Sequence, residues 1–264
     1  MTNKTLLILV ACLMTALSSS AKSFRLAPGE PLRSSAAYHE VKGLQGILIR
    51  QRLSFGPYAT TRILRSAIRS WTGTNGVPGI LAAEHMQGRQ SIRFSLSNGF
   101  DTAHTVAVTR VSSADLIIGN RRNSLPNILL DIMATGSARQ QNNFSASIIT
   151  QGGETWELFL DNTAAQLRRN EAAGFFRSSD TYYVIVPVWE ITRKGRTSAL
   201  PFGAAGLEFR DEQGRTCAAV SLIDDGEVIL PHSDNPENLL LAAACSALLL
   251  QSNIDQERHQ FINK

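Results

Sequence analysis

The segment Leu239–Leu250 reads LLLAAACSALLL, twelve residues without a charge. It lies inside a helix signal that runs from Pro236 to Ser252. Asn235 is a side-chain cap, Pro236 suits the first helical position, and Glu237 complements the dipole in the first turn. A helix that is apolar all round must be buried on every side. At 17 residues it would be about 25 Å long, marginal for a bilayer. A core helix wrapped by other elements is therefore expected, with no transmembrane span in the mature chain.

The elements available to wrap it are strands. Ile92, Phe94 and Leu96 alternate with Ser91, Arg93 and Ser95; Val106 and Val108 alternate with Thr105 and Thr109. Phe144, Ala146 and Ile148 repeat the pattern, as do Trp156, Leu158 and Leu160. Such period-two runs predict half-buried strands with the apolar side chains facing a core. Tyr182–Ile191 is apolar on both parities and predicts a strand buried on both faces, although Pro187 removes one ladder donor. Phe55–Ile68, rich in Thr and Ile, reads as strand. Gln151-Gly152-Gly153, Asp211–Gly214 and Asp224-Asp225-Gly226 punctuate these runs as hairpin turns. Two shorter helices are expected, at Pro78–Met86 and at Thr163–Ala173, the latter stopped by Gly174. The expected fold is mainly β (α+β): an antiparallel β-barrel of many short strands around a buried C-terminal helix.

Gly206-Leu207-Glu208-Phe209 with its hairpin, the strands from Cys217 to Ile229, and the helix Pro236–Ser252 follow one another in that order. This ending resembles the tubby-like barrels, the group that includes phospholipid scramblases and LURP-one-related proteins. The resemblance covers about 60 residues and lies in the pattern of hydrophobicity. It implies a barrel around a hydrophobic axle. It carries no lipid-binding or calcium-binding residue across to this chain.

Lys4 precedes an apolar run from Leu6 to Leu17, and Ser19 and Ala21 stand at the −3 and −1 positions of a small-x-small cleavage site. This is the three-part pattern of a secretory signal peptide covering residues 1–21. Leu9-Val10-Ala11-Cys12 also resembles a bacterial lipoprotein box, with a leader to residue 11 and lipidation at Cys12. Either route exports the protein to the periplasm or cell envelope. Residues 22–43 read as an N-terminal arm and 44–264 as a single β-rich domain. Export leaves Cys217 and Cys245 as an even pair in an oxidising compartment. Their bond would close a loop of about 28 residues and contribute about 3–4 kcal/mol; two buried thiols are the other reading. Asn143-Phe144-Ser145 fits a glycosylation acceptor, which matters only in a eukaryotic source.

The 264 residues carry a net charge of +4, unevenly distributed. Residues 22–150 hold 15 Lys or Arg against 6 Asp or Glu; residues 151–264 hold 10 against 16. Arg50, Arg52, Arg62, Arg65 and Arg69 form the densest basic stretch and are the candidate ligand-binding residues. The planar fork of arginine suits phosphate and carboxylate groups. Basic and acidic strands that pair within one fold would cancel much of this asymmetry. Nucleic acid is not expected, because aromatics are only 7% and no recognition motif appears.

No catalytic motif, cofactor motif or metal spacing is found. His104 and Asp115 with Ser112 or Ser113 lack a nucleophile elbow. Asp224, Asp225 and Glu227 near His232 read as turn chemistry before a carboxylate or metal site. Gly73, Gly76 and Gly79 lack the following G-K-[ST] of a phosphate loop and read as a flexible connection. The reading reached is an exported, non-enzymatic envelope protein that binds an anionic lipid or glycan. An exported hydrolase with loop His and carboxylate residues, and a structural or adaptor subunit of an envelope complex, are the alternatives. The intact mass of chain recovered from an expressing bacterium's envelope is expected to begin at Lys22. A lipid-modified start at Cys12 would place the protein on a membrane face instead.

Overall fold

Nearly every strand pairs with its neighbour in sequence, so the chain folds as a meander. A computed structural model describes residues 24–44, 51–77, 81–118, 140–232 and 235–251. In chain order it contains β1 (Arg25–Leu26), α1 (Leu32–Ser35), β2 (Ala36–Glu40), β3 (Ser54–Phe55), β4 (Tyr58–Thr60), β5 (Leu64–Arg65) and β6 (Arg69–Val77). The long strands β7 (Leu81–Ser97), β8 (Thr102–Ile118) and β9 (Gln140–Thr150) follow. Next come β10 (Thr155–Asp161), α2 (Asn162–Leu167), β11 (Gly174–Arg177), β12 (Tyr182–Val188), β13 (Glu190–Arg193) and β14 (Arg196–Ala199). The chain ends with β15 (Gly206–Arg210), β16 (Thr216–Ser221), β17 (Glu227–Pro231) and α3 (Pro236–Leu250).

The main sheet runs β2-β17-β16-β15-β12-β11-β10-β9-β8-β7-β4-β3 and is antiparallel throughout. Its two ends meet where Lys42 bridges Ser54, N–H to carbonyl in both directions at 2.9 and 3.1 Å. The result is a nearly closed, barrel-like sheet. β4, β5 and β6 are successive pieces of one interrupted strand along β7. Closure of this kind leaves little free edge for unwanted pairing.

The helix near the C-terminus forms as its signals predict. The Asn235 side chain accepts from the Glu237 amide at 3.1 Å and Pro236 opens the first turn. Thirteen of its fifteen residues are buried. It packs against β7, β8, β9, β16 and β17. Its middle, Ala242–Ala247, is made of small residues and lets the strands come close. The strands away from it fill their share of the core with rings instead. Trp156, Phe176, Tyr183 and Phe209 meet at centroid distances of 4.9–6.1 Å. α2 adds Ala164 and Ala165 to the same core and packs on β9, β10 and β12.

Proximity to α3 inverts one expected register. On β8 the buried residues with described side chains are Ala103, Thr105, Ala107, Thr109 and Val111, while Val106 is 45% exposed. The predicted apolar face, Val106 and Val108, is the outer one. The reason is volume: Ala103 and Ala107 on this parity let α3 approach, whereas the opposite parity carries the larger His104, Val106, Val108 and Arg110. The Thr105 and Thr109 hydroxyls are buried without a hydrogen-bond partner. The other three alternations bury the predicted face.

Further differences have local causes. Leu81–Met86 is strand, not helix, because it is paired on both sides, with β6 and with β8. Gly73 and Gly76 lie in β6 opposite His85 and Ala82, within that ladder; Pro78, Gly79 and Ser252 lie outside the described residues. α2 ends at Leu167, and Gly174 begins β11 rather than capping a helix. There a Cβ would lie 2.0 Å from the Phe159 carbonyl oxygen, so the glycine serves strand approach. β12 ends at Val188, and the β11 ladder stops at Ile185, so Pro187 sits where β12 is an edge.

Residues 24–44 form β1 and α1, packed on the outside of β15–β17, and β2, an end strand of the main sheet. β1 pairs with β13 in a small sheet with β14, and Leu26, Leu32, Val188 and Ile191 bury Ala219 and Ile229. Glu208, 1% exposed, accepts from the Gly29 amide and from Arg210 Nε, each at 2.7 Å.

The inward face of β8 generates a prediction. Thr109→Val removes a buried hydroxyl that has no partner and is expected to be neutral or stabilising by up to about 1 kcal/mol. Ala243→Leu, against the same packed interior, is expected to cost about 1–3 kcal/mol. Urea denaturation of the two variants beside the parent checks both signs.

Candidate functional site

The candidate site is a row of three arginines across three strands, ended by an asparagine on a fourth. Arg69 of β6 stands opposite Arg89 of β7, Arg89 opposite Arg110 of β8, and Arg110 opposite Asn143 of β9. Residues directly opposite in antiparallel strands project to the same face. Neighbouring strands lie about 4.8 Å apart, so three guanidinium stems start within about 10 Å. All three arginines are exposed, and none makes an ion pair with a described residue. The next acid along the row, Asp161, directs its Oδ1 to the Thr163 and Ala164 amides at the start of α2.

One step along the strands lies a second row: Trp71, Gln87, Ser112 and Gln141. The two rows line an open groove of about 500 Å³. Trp71 is 61% exposed at its edge. The groove thus offers planar cations, side-chain amides and an indole face, with no described carboxylate in its lining. The chemistry of this lining suits oxyanions: guanidinium forks bond carboxylate or phosphate in pairs, and amides bond hydroxyls. Like charges directly opposite one another destabilise a sheet, so the row carries a folding cost that an anion would relieve.

The arginines singled out in the sequence do not act together. Arg65 is a structural residue. Its NH1 donates to the Leu250 carbonyl at the end of α3 at 2.9 Å, and its Nε and NH2 donate to Gln51 Oε1 at 3.3 and 3.2 Å. α3 ends in the extended residue Gln251 rather than a left-handed cap, and a cation at this end suits the dipole. Gln51, buried, passes its own amide to the Leu44 carbonyl at 2.7 Å. Arg52 and Arg62 are exposed on connections beside β3 and β4. Arg50 and Cys12 lie outside the described residues. Of the four that are described, only Arg69 lines the groove. Arg89 and Arg110 were absent from that basic stretch; the polar parity of Arg89 on β7 was an available signal, whereas Arg110 shares the parity of Val106 and Val108, which the alternation expects inward.

Cys217 and Cys245 are both free thiols. The Cys245 sulfur faces the Ala219 carbonyl at 3.8 Å, two residues beyond Cys217 on β16, while Cys217 donates to the Arg215 carbonyl at 3.5 Å. Burial pushes both thiols above the ordinary thiol range.

The carboxylate and histidine groupings also separate. His104 pairs across strands with Ser95, Nδ1 to Oγ at 2.8 Å, on an exposed face with no described carboxylate bonded to the ring. Asp115 is eleven residues further along β8, about 36 Å away at strand rise. Glu227 opens β17 and His232 follows its end, five residues on and about 17 Å apart at strand rise, with Asp224 and Asp225 in the turn before Glu227. Asp224 takes φ +54° in its turn, and Gly226 (φ +79°) packs where a Cβ would meet Leu249 at 2.7 Å. Burial and the neighbouring His232 lower the pKa of His39 below the ordinary imidazole value. No group of three or more metal-ligating side chains occurs among the described residues, and no described helix is long and apolar enough to cross a membrane.

Two arginine variants separate structure from site. Arg65→Ala is expected to lower stability by about 1–3 kcal/mol, through the lost bonds at the end of α3. Arg89→Gln is expected to raise it by about 0.2–1 kcal/mol, an effect that fades in high salt as the repulsion is screened. Thermal denaturation of both variants at low and high salt checks these signs.

No protein-family model, curated protein or solved structure matches the chain. The functional reading therefore rests on the groove itself.

Proposed function

We propose that this chain is an exported, non-enzymatic protein of the bacterial envelope that binds an anionic lipid or glycan. The observation that carries the reading is the row Arg69–Arg89–Arg110, aligned across three strands with no described acid partner. A sheet accepts three like charges in one row at a cost, and a bound oxyanion removes that cost. The leader at residues 1–21, or lipidation at Cys12, delivers the protein to the envelope in this reading. The architecture is read as a tubby-like barrel with α3 as its axle. In support stand the meander order of the strands, the Lys42–Ser54 closure and the burial of α3.

The test is sedimentation with vesicles at low salt. The protein is expected to pellet with phosphatidylglycerol vesicles and to stay in solution with phosphatidylcholine vesicles. The double variant Arg89→Gln/Arg110→Gln is expected to abolish that difference. Equal pelleting of the parent protein with both vesicle types would overturn lipid binding by this surface.

A further inference from the structure

The groove's second row narrows the ligand, and this step rests on the anion-binding reading above. We infer that the groove takes an acidic glycan, a chain of sugars bearing a carboxylate or phosphate on successive units, laid across β6–β9 along the arginine row. Four observations point there.

The cations are regularly spaced. Arg69, Arg89 and Arg110 repeat once per strand, about every 4.8 Å. A sugar unit in a glycan chain is of similar length, so successive acidic groups can meet successive arginines. A single lipid headgroup or a free phosphate would engage only part of the row.

The flanking row is made for hydroxyls. Gln87 and Gln141 are exposed amides in register with Ser112, and Asn143 ends the arginine row. Each supplies a donor and an acceptor that a polyhydroxyl ligand can use on both sides. A purely electrostatic contact with a charged membrane has no need of them.

The aromatic face is available. Trp71 stands beside Gln87, across from the neighbouring strand, and is the exposed member of the chain's three tryptophans; Trp156 is buried and Trp189 half-buried. An indole face presents apolar area with polar groups around it, which suits the C–H face of a pyranose ring.

The groove is also open and lies on a sheet face rather than in a closed pocket. It can therefore hold the middle of a chain as well as its end, and the ligand need not be small.

The test titrates the full exported chain with a hexamer of galacturonate, following tryptophan fluorescence and calorimetric heat in about 0.15 M salt, where exposed charge contacts are largely screened. The comparison probes are a neutral maltohexaose, inorganic phosphate, single-stranded DNA and phosphatidylglycerol vesicles. The acidic hexamer is expected to bind and to change Trp71 emission, while maltohexaose and phosphate bind far more weakly. Arg89→Gln is expected to weaken the hexamer about tenfold. Trp71→Phe should keep most of the calorimetric affinity and lose the fluorescence change, and Trp71→Ala should lose affinity. Circular dichroism and denaturation midpoints identify any variant that fails to fold, and Arg110→Gln then serves as the second arginine probe. Binding of phosphatidylglycerol vesicles without binding of the hexamer would overturn the glycan assignment and leave the anion-binding reading standing. Equal binding of the DNA, or of phosphate and hexamer, would also overturn it. Absence of binding to every anion would remove both readings.

Discussion

The burial of α3 is the constraint from which most of the structure follows. Its residues Leu239–Leu250 present apolar or small side chains in every direction, so no face of that stretch can be left to water. The nearly closed sheet supplies the cover, and α3 packs against its strands β7, β8, β9, β16 and β17. The Lys42–Ser54 bridge joins the two ends. Arg65 and Gln51 answer the carbonyl end of the helix, and Asn235 answers its amide end. Both ends of a buried helix leave backbone groups that need such partners.

The same constraint sets side-chain size around the core. Strands beside the small middle of α3 carry Ala and Thr inward, while the far strands carry Trp156, Phe176, Tyr183 and Phe209. Volume therefore overrides hydropathy on β8. Two threonines are buried with unpartnered hydroxyls, and the more apolar Val106 faces water. Branched Thr is nearly the shape of Val but carries an oxygen that the core does not satisfy, so the strand holds its register at some cost in free energy.

Outside the barrel-like sheet the chain divides its surface between two uses. On β15–β17 the outer face is covered by residues 24–35 and the β13–β14 hairpin, and carboxylates such as Glu208 are satisfied from that cover. On β6–β9 the outer face is bare, and its charges are left without described partners. The contrast separates the roles of charge in this protein. Where the surface is covered, Arg and Glu are paired locally; where it is open, arginines are aligned with like charges. The overall basic-to-acidic asymmetry of the two halves does not simply cancel in the fold, because the Arg69–Arg89–Arg110 row draws on the basic half alone.

The sequence by itself determined the class of fold and its punctuation. The cap at Asn235, the apolar run behind it, the alternations on β7, β9 and β10, and the turns at Gly153, Gly214 and Gly226 are local properties. They depend on the few residues around them and on the period of the element. Tertiary structure alone decided which β8 face is inward, because that answer depends on how close α3 lies. It made Leu81–Met86 a strand, because partners on both sides outweigh local helix signals. It also split the basic stretch, turning Arg65 inward to end a helix 185 positions away and leaving Arg69 on the groove. The candidate site was legible only as arginines on separate strands, with Arg110 on the face of β8 expected inward. Its existence as a row is a matter of strand register, and register is set by long-range pairing that no single segment contains.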